Sequence, residues 1–221
     1  MFYQILKDKF DLLYKVIPKL DLLQGFAMDV DQVVYENFDD TLLYCYHVAG
    51  VVGAMMATIM GVQDRAIIDR AVDLGIAFQL TNISRDVMED AADGRVYLPA
   101  SWLREAGAPT DPAQFPGNEE AVFTVVSRML READRYYASS LFGISRLPFR
   151  CAWAIAAARS VYGAIGKVVV ARGAGAWRQR AGLSSLQKLG RLFSSLFTAL
   201  SAKSLGRLRR APAREGLWTL T

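Results

Sequence analysis

Histidine and cysteine are nearly missing from this chain. Its 221 residues hold one His and two Cys. Nothing near His47 completes a metal set, so it reads as a core residue rather than a ligand. Cys45 and Cys151 lie in apolar, helix-like surroundings, where buried thiols are expected and a disulfide is not. Period-two alternation is scarce, which removes the all-β and α/β classes. Internal repeats and low-complexity tracts are absent, which excludes solenoids and a disordered chain. No export leader opens the sequence, no glycine-rich dinucleotide fingerprint appears, and no basic-aromatic stripe suggests nucleic acid. A nicotinamide cofactor and a nucleic-acid partner are therefore not expected.

What is present is hydrophobic residue at helical spacing. These residues make up 52% of the chain, ample for one large core. Helix-period segments run over Phe2–Ile17, Thr41–Met60, Ala66–Asp90, Glu119–Leu141, from Pro148 towards Ala171, and over Leu183–Leu200. Proline and glycine breakers fill the connection from Pro99 to Pro116. The expectation is a single all-α domain over residues 1–200, followed by a basic, flexible tail over residues 201–221. That tail carries Lys203, Arg207, Arg209, Arg210 and Arg214. Two readings of it stay open: a solvated segment, or a contact with an anionic bilayer. Leu42–Val62 has no formally charged residue and is long enough to cross a bilayer. Its Tyr44, Tyr46, His47 and Thr58, with acidic flanks, fit the centre of a helical bundle equally well.

The most informative stretch is Gln79-Leu-Thr-Asn-Ile-Ser-Arg-Asp-Val-Met-Glu-Asp90, followed by Gly94-Arg-Val-Tyr-Leu-Pro99. Gln79, Asn82, Asp86 and Asp90 fall at i, i+3, i+7 and i+11, so they form one stripe on a helix. The stripe starts in the apolar run Leu74–Phe78, where an unpaired amide is costly to bury. Two carboxylates and an amide oxygen in a row suit a hard cation that completes its shell with water and phosphate. On spacing alone, a solvated helix face remains an equal alternative.

The same residues resemble the second aspartate-rich motif of the squalene/phytoene synthase family, in wording nearest its bacterial phytoene synthases. Gly25-Phe-Ala-Met-Asp-Val30, Tyr44-Cys-Tyr-His-Val-Ala-Gly-Val-Val-Gly53, Tyr97-Leu-Pro-Ala-Ser-Trp-Leu103 and Trp153-Ala-Ile-Ala-Ala-Ala-Arg-Ser-Val-Tyr162 resemble further blocks in the same order. The resemblance covers about Leu23 to Lys188. It implies an isoprenoid-synthase-type helical bundle around a central cavity. The activity it implies is the head-to-head condensation of two geranylgeranyl diphosphates to phytoene through a cyclopropyl diphosphate, a step of carotenoid biosynthesis. By resemblance, Asn82, Asp86 and Asp90 hold Mg²⁺ (or Mn²⁺), and Arg85 and Arg95 bind diphosphate. Tyr44 and Tyr162 face the carbocations, Gln79 contacts substrate, and Val48, Val52, Gly53 and Gly75 leave room for prenyl tails. Tyr44, Gln79, Asn82, Asp86 and Tyr162 are thus expected around one concavity. Read without the resemblance, the tyrosines are core residues whose hydroxyls find partners, and Arg85 pairs with Glu89 one turn on.

The family's first aspartate-rich motif has no counterpart, because Asp29, Asp31, Asp39 and Asp40 stand in other blocks. The resemblance therefore implies a member shortened at its amino terminus, with those bundle helices missing and little activity alone. A complementing amino-terminal segment or self-association would then complete it. The expected location is cytoplasmic, with peripheral membrane contact. The alternative functions are a non-catalytic binding or assembly factor and a small membrane-anchored protein.

Overall fold

The computed structural model describes residues 21–31, 33–206 and 213–219. The helix expected over Phe2–Ile17, and Arg207, Arg209 and Arg210, lie outside the described residues. Everything regular among the described residues is helical. α1 spans Asp21–Val30, and α2 spans Phe38–Cys45. Asn37 starts α2 with a reciprocal capping box: its side chain accepts from the Asp40 N–H at 3.1 Å, and Asp40 accepts from the Asn37 N–H at 3.0 Å. Each such cap satisfies an otherwise orphaned helix donor.

The stretch expected as one helix over Thr41–Met60 is continuous but not uniform. A π turn over Tyr46–Gly50 separates α2 from α3, Val51–Ile59. By length and composition two stretches could cross a bilayer, Phe38–Ile59 and Phe149–Trp177. The first buries Thr41, Tyr44, Cys45, His47, Val51 and Thr58 inside the bundle. Val52, Met56 and Ile59 of the same stretch are exposed.

α4, Arg65–Ala92, is the central helix, capped by Asp64, whose carboxylate accepts from the Ala66 N–H at 2.9 Å. It ends at Asp93-Gly94, where Gly94 takes φ 75°, a left-handed conformation that costs glycine little. Burial on several faces, from Ile68, Leu74, Ile76, Ala77 and Leu80 through Ile83 to Val87, matches a helix wrapped by neighbours. Two glycines bring α3 and α4 into backbone contact. A Cβ on Gly53 would lie 2.2 Å from the Ala71 carbonyl oxygen, and one on Gly75 would lie 2.2 Å from that of Ala49.

The Pro99–Pro116 connection holds a short α5, Ala100–Glu105, and a 3₁₀ turn at Pro112–Gln114. α6 runs Glu119–Arg146, past the expected end at Leu141, and packs along α4 through Val122, Val126, Met129, Ala133 and Tyr136. Each buried valine or methionine of this set contributes about 1.5–3 kcal/mol relative to exposure. α7 spans Phe149–Arg172 after Pro148, and α8 spans Ser185–Gly206, beyond the expected end at Leu200.

Residues 213–219, expected in a flexible basic tail, lie instead against the bundle. Arg214 donates to both oxygens of fully buried Asp73, at 3.0 and 2.6 Å. The Trp218 N–H donates to the Tyr136 hydroxyl at 3.1 Å, and its ring sits 5.2 Å from that of Tyr46. A carboxylate buried at position 73 requires a cation, and the sequence-distant Arg214 supplies it.

Candidate functional site

α3, α4, α6 and α7 enclose a cavity of about 330 Å³, within the range that holds small organic ligands. Val48, Val52, Gly53, Gly75, Gln79, Asn82 and Tyr162 all line it, together with Met56, Leu74, Phe78 and Ile155. Gln79 and Asn82 stand towards the carboxyl end of α4, one to three turns before Asp86 and Asp90. The apolar lining extends back towards Ile67, Arg70 and Leu147. The cavity is therefore amide-bearing at one end and largely apolar from there to Arg70 and Ser140. Tyr162 stacks on Phe78, with centroids 4.3 Å apart and planes at 27°, so two aromatic faces meet the cavity wall. Gly53 and Gly75 line the cavity, and packing adds a constraint of its own. They are forced by helix–helix contact, since any side chain there would strike a backbone carbonyl.

The polar end divides into atoms that are engaged and atoms that are not. Asn82 donates its amide N–H to Gln79 Oε1 at 3.5 Å, while its own Oδ1 is buried without a hydrogen-bond partner. An orphaned carbonyl oxygen beside a cavity is an unmet acceptor, of the kind that coordinates a hard cation. Asp90 stands one turn beyond Asp86, and no arginine bonds to it in the described hydrogen-bond network. Burial and then the charge of Asp86 push its carboxyl up to about 6. A divalent cation would relieve both effects at Asp90, but eight residues of helix, about 12 Å, separate it from Asn82, so the two would face different ions.

Asp86 does not stand open. Arg85 donates to it from Nε at 2.8 Å, and Arg180 reaches it with Nε at 3.0 Å and Nη2 at 3.1 Å. Burial raises the Asp86 carboxyl, but these two guanidiniums outweigh it and hold the group below the usual carboxylate range. Arg85 thus pairs with its neighbour Asp86 and not with Glu89, and Arg180 also lies 3.6 Å from Glu89. A carboxylate between two guanidiniums marks a place where anionic oxygens are well received.

Arg85, Asp86 and Asp90 lie beyond the lining residues, so Asp86 does not face the concavity as expected, and Tyr44 and Arg95 stand elsewhere. Tyr44 does not line the cavity. Its hydroxyl donates to Asp29 Oδ1 at 2.9 Å, and its ring stacks on Tyr97 at 4.7 Å. Tyr97 donates to the same Asp29 oxygen at 2.8 Å. The π turn at Tyr46–Gly50 inserts one residue into the helical ladder, which rotates Tyr44 off the face that carries Val48 and Val52. Arg95 pairs with Asp93 at 2.8 Å. It borders a small separate hollow with Asp29, Tyr35 and Tyr97, although its charge still draws the Asp90 carboxyl downward. Among the described residues no group of three or more His, Cys, Asp or Glu side chains is placed to hold a metal.

Asp29, Tyr97 and Arg180 were not singled out as site residues from the sequence. Asp29 and Tyr97 sit inside recognised blocks but become a pair only through folding. Arg180 follows the breaker Gly173, which takes φ 59°, and a 3₁₀ turn over Gly173–Trp177. The Trp177 indole N–H donates to the Ser84 carbonyl at 3.2 Å, fixing the segment across α4 and bringing Arg180 to Asp86. No local sequence signal carries that contact.

Comparison with known proteins bears on the same residues. A family model described as squalene/phytoene synthase matches residues 13–187. The chain is 50% identical over 198 residues to a 15-cis-phytoene synthase of Enterobacter agglomerans, covering 90% of this chain and 66% of that protein. It is 51% identical over 199 residues to a phytoene synthase of Pseudescherichia vulneris, covering 90% of this chain and 63% of that protein. The chain therefore spans slightly less than two thirds of the length of these relatives. A crystal structure of a dehydrosqualene synthase in complex with ligand superposes with a TM-score of 0.73 at 27% identity, over 83% of this chain and 65% of that one.

Proposed function

This chain belongs to the squalene/phytoene synthase family, and from that membership we propose that it takes part in a phytoene synthase-type prenyl transfer. The substrate class is a prenyl diphosphate, geranylgeranyl diphosphate by analogy with the phytoene synthases it resembles. The reaction is head-to-head condensation through a cyclopropyl diphosphate. The observation that carries this reading is the cavity lining, apolar and aromatic along α4 as far as Gln79 and the orphaned Asn82 oxygen, with Asp90 and the Arg85–Asp86–Arg180 cluster beyond the lining in the direction of the carboxyl end of α4. That is the polarity of a prenyl diphosphate, a long hydrocarbon ending in a multiply charged anion.

Each part of the lining has a task set by the chemistry. Family members generally depend on a divalent metal. Here Asn82 and Asp90, about 12 Å apart along α4, would each hold an ion of its own, which when bound supplies Lewis-acid neutralisation of the diphosphate charge. Asp86 joins them only when Arg180 leaves it, and Arg180 is then free to bind diphosphate oxygens with Arg85. Ionisation leaves an allylic cation in a dry cavity, where the stacked Phe78 and Tyr162 rings offer their negative faces. Val48, Val52 and Ile155 exclude water that would otherwise capture the cation. Tyr44 supports the site from outside, through Asp29 and Tyr97. We place the protein in the cytoplasm, working against a membrane, because both the prenyl tails and a hydrocarbon product partition into lipid.

Titration calorimetry with Mg²⁺ and a geranylgeranyl thiodiphosphate tests the site. Binding should require both components and should weaken at least about tenfold on Asn82→Ala, the loss of one coordinating contact of about 1.4 kcal/mol. Labelled hydrocarbon extracted after incubation with geranylgeranyl diphosphate tests the reaction. Metal-independent binding, unchanged by Asn82→Ala, would remove the reading. The Arg85–Asp86–Arg180 pairing supports one competing reading, a non-catalytic binding factor whose acidic motif serves as structural ion pairs. Tight thiodiphosphate binding with no product, even from a preparation supplied with the amino-terminal part of a relative, would favour it.

A further inference from the structure

α8 carries an apolar face that nothing among the described residues covers. Leu186, Leu189, Phe193, Phe197 and Leu200 fall at i, i+3, i+7, i+11 and i+14, one stripe along the helix. They are the exposed ones: Leu186 is 79%, Phe193 62% and Phe197 74% accessible. The opposite face does the packing. Ser195 and Ala199 are buried, and Ala199 joins Ile144, Leu147, Ala152 and Ala156 in a core cluster. The Trp153 indole N–H also donates to the Leu192 carbonyl at 3.0 Å. The orientation of α8 is thus fixed by its small-residue face, which leaves two phenylalanines and three leucines turned outward. Soluble surfaces rarely leave such a contiguous stripe without a partner.

Charge identifies the partner. Residues 135–221 hold 15 of the 26 Lys and Arg residues but only one of the 22 Asp and Glu residues, Glu215. α8 itself has Lys188, Arg191 and Lys203 and no acidic side chain. An apolar stripe on a cationic helix, within a cationic half of the molecule, is complementary to an anionic lipid surface. A second copy of the chain would bring two cationic faces together, and a nucleic acid would have no use for the phenylalanines.

We propose that α8 docks on the surface of an anionic phospholipid bilayer, with Phe193 and Phe197 inserted among the acyl chains and its cations at the headgroups. This deepens the functional reading, in which an apolar tail must enter the cavity from lipid, but the docking is measurable without any prenyl diphosphate. The test is flotation of the full chain with vesicles of phosphatidylcholine alone or mixed with phosphatidylglycerol. The chain should float with the mixed vesicles and remain largely unbound with phosphatidylcholine, and raised salt should weaken the binding without abolishing it. The Phe193→Glu/Phe197→Glu variant should lose at least about tenfold in vesicle affinity, with an unchanged helical spectrum and melting temperature, because both rings are exposed. Lys188→Glu/Arg191→Glu should weaken binding to mixed vesicles and leave any residual phosphatidylcholine binding unchanged. Absence of flotation, or flotation unaffected by the phenylalanine variant, overturns the proposal. A dimer in lipid-free buffer that dissociates on Phe193→Glu/Phe197→Glu also overturns it, by showing that a second copy covers the face. Loss of thiodiphosphate binding with vesicle binding intact would count against the catalytic reading alone.

Discussion

Arg214→Ala should cost this protein more stability than any other single change near its carboxyl terminus. Asp73 is fully buried on α4, and its two oxygens receive two hydrogen bonds from Arg214 and one from the Ser139 hydroxyl. Deleting the guanidinium leaves a buried carboxylate without its bidentate partner, which in comparable cases costs about 3–5 kcal/mol. Residues 213–219 can peel away and admit water to Asp73, so the lower end applies. That peeling also forfeits the contact of Trp218 with Tyr46 and the Arg135 bond to the Gly216 carbonyl at 3.1 Å. A loss of about 3 kcal/mol in a chain of this size lowers the melting temperature by about 6–12 °C. Thermal unfolding followed by circular dichroism reads this directly. The double variant Asp73→Asn/Arg214→Ala should be less destabilised than the sum of the single changes, because residues in one network couple by about 0.5–3 kcal/mol. The effect should also reach the cavity. Arg70 lines it and donates to the Ser139 hydroxyl that bonds Asp73. A melting temperature for Arg214→Ala within about 1 °C of the parent, or strict additivity in the double variant, would refute the reasoning.

Asp90→Asn should stabilise the chain and flatten its pH profile. With the carboxyl raised from 3.8 to about 6, the folded state keeps a proton between those values that the unfolded state has released. Stability therefore falls as pH rises through that window and is constant above it. Removing the charge should return on the order of 2 kcal/mol at pH 7.5, less whatever solvent screens at this partly exposed group; urea unfolding at pH 4 and pH 7.5 checks both value and sign. Gly75→Ala drives a Cβ against the Ala49 carbonyl and should destabilise by about 3 kcal/mol or more. Gly163→Ala, where a Cβ meets nothing within 4 Å, should stabilise α7 by up to about 1 kcal/mol; parallel thermal melts compare the two. Arg180→Ala removes the bidentate hold on Asp86. Mg²⁺ alone should then bind more tightly while the thiodiphosphate binds less tightly, and calorimetry of each component would show both directions.

The all-α class and the central helix were legible in the sequence because they rest on local causes. A proline-free run closed by Asp93-Gly94 marks α4 whatever it packs against. The amide end of the site was legible for the same reason, since Gln79 and Asn82 lie on one helix at fixed spacing and both reach the cavity. Asn82 even keeps the open oxygen that a ligand requires. What local spacing cannot encode is which of several aligned groups another segment will claim. Asp86 shares the stripe with Asp90, yet Arg180, 94 positions away, occupies the first and leaves the second open. Burial raises both carboxyls, and the guanidiniums drive them apart, one held low and the other left pushed up towards 6. Tyr44 failed as a cavity residue because one extra residue in a π turn moves every side chain before it to another face. Residues 213–219 depart from a solvated segment because a buried Asp73 needs a counter-charge from somewhere, and only the folded chain shows where that is. In each case the miss occurs where a long-range electrostatic partner, or a one-residue slip in a helix, overrides the local pattern. Those are the positions where the pairing of charges can be exchanged for a bound anion and its metal, as the release of Arg180 from Asp86 would require.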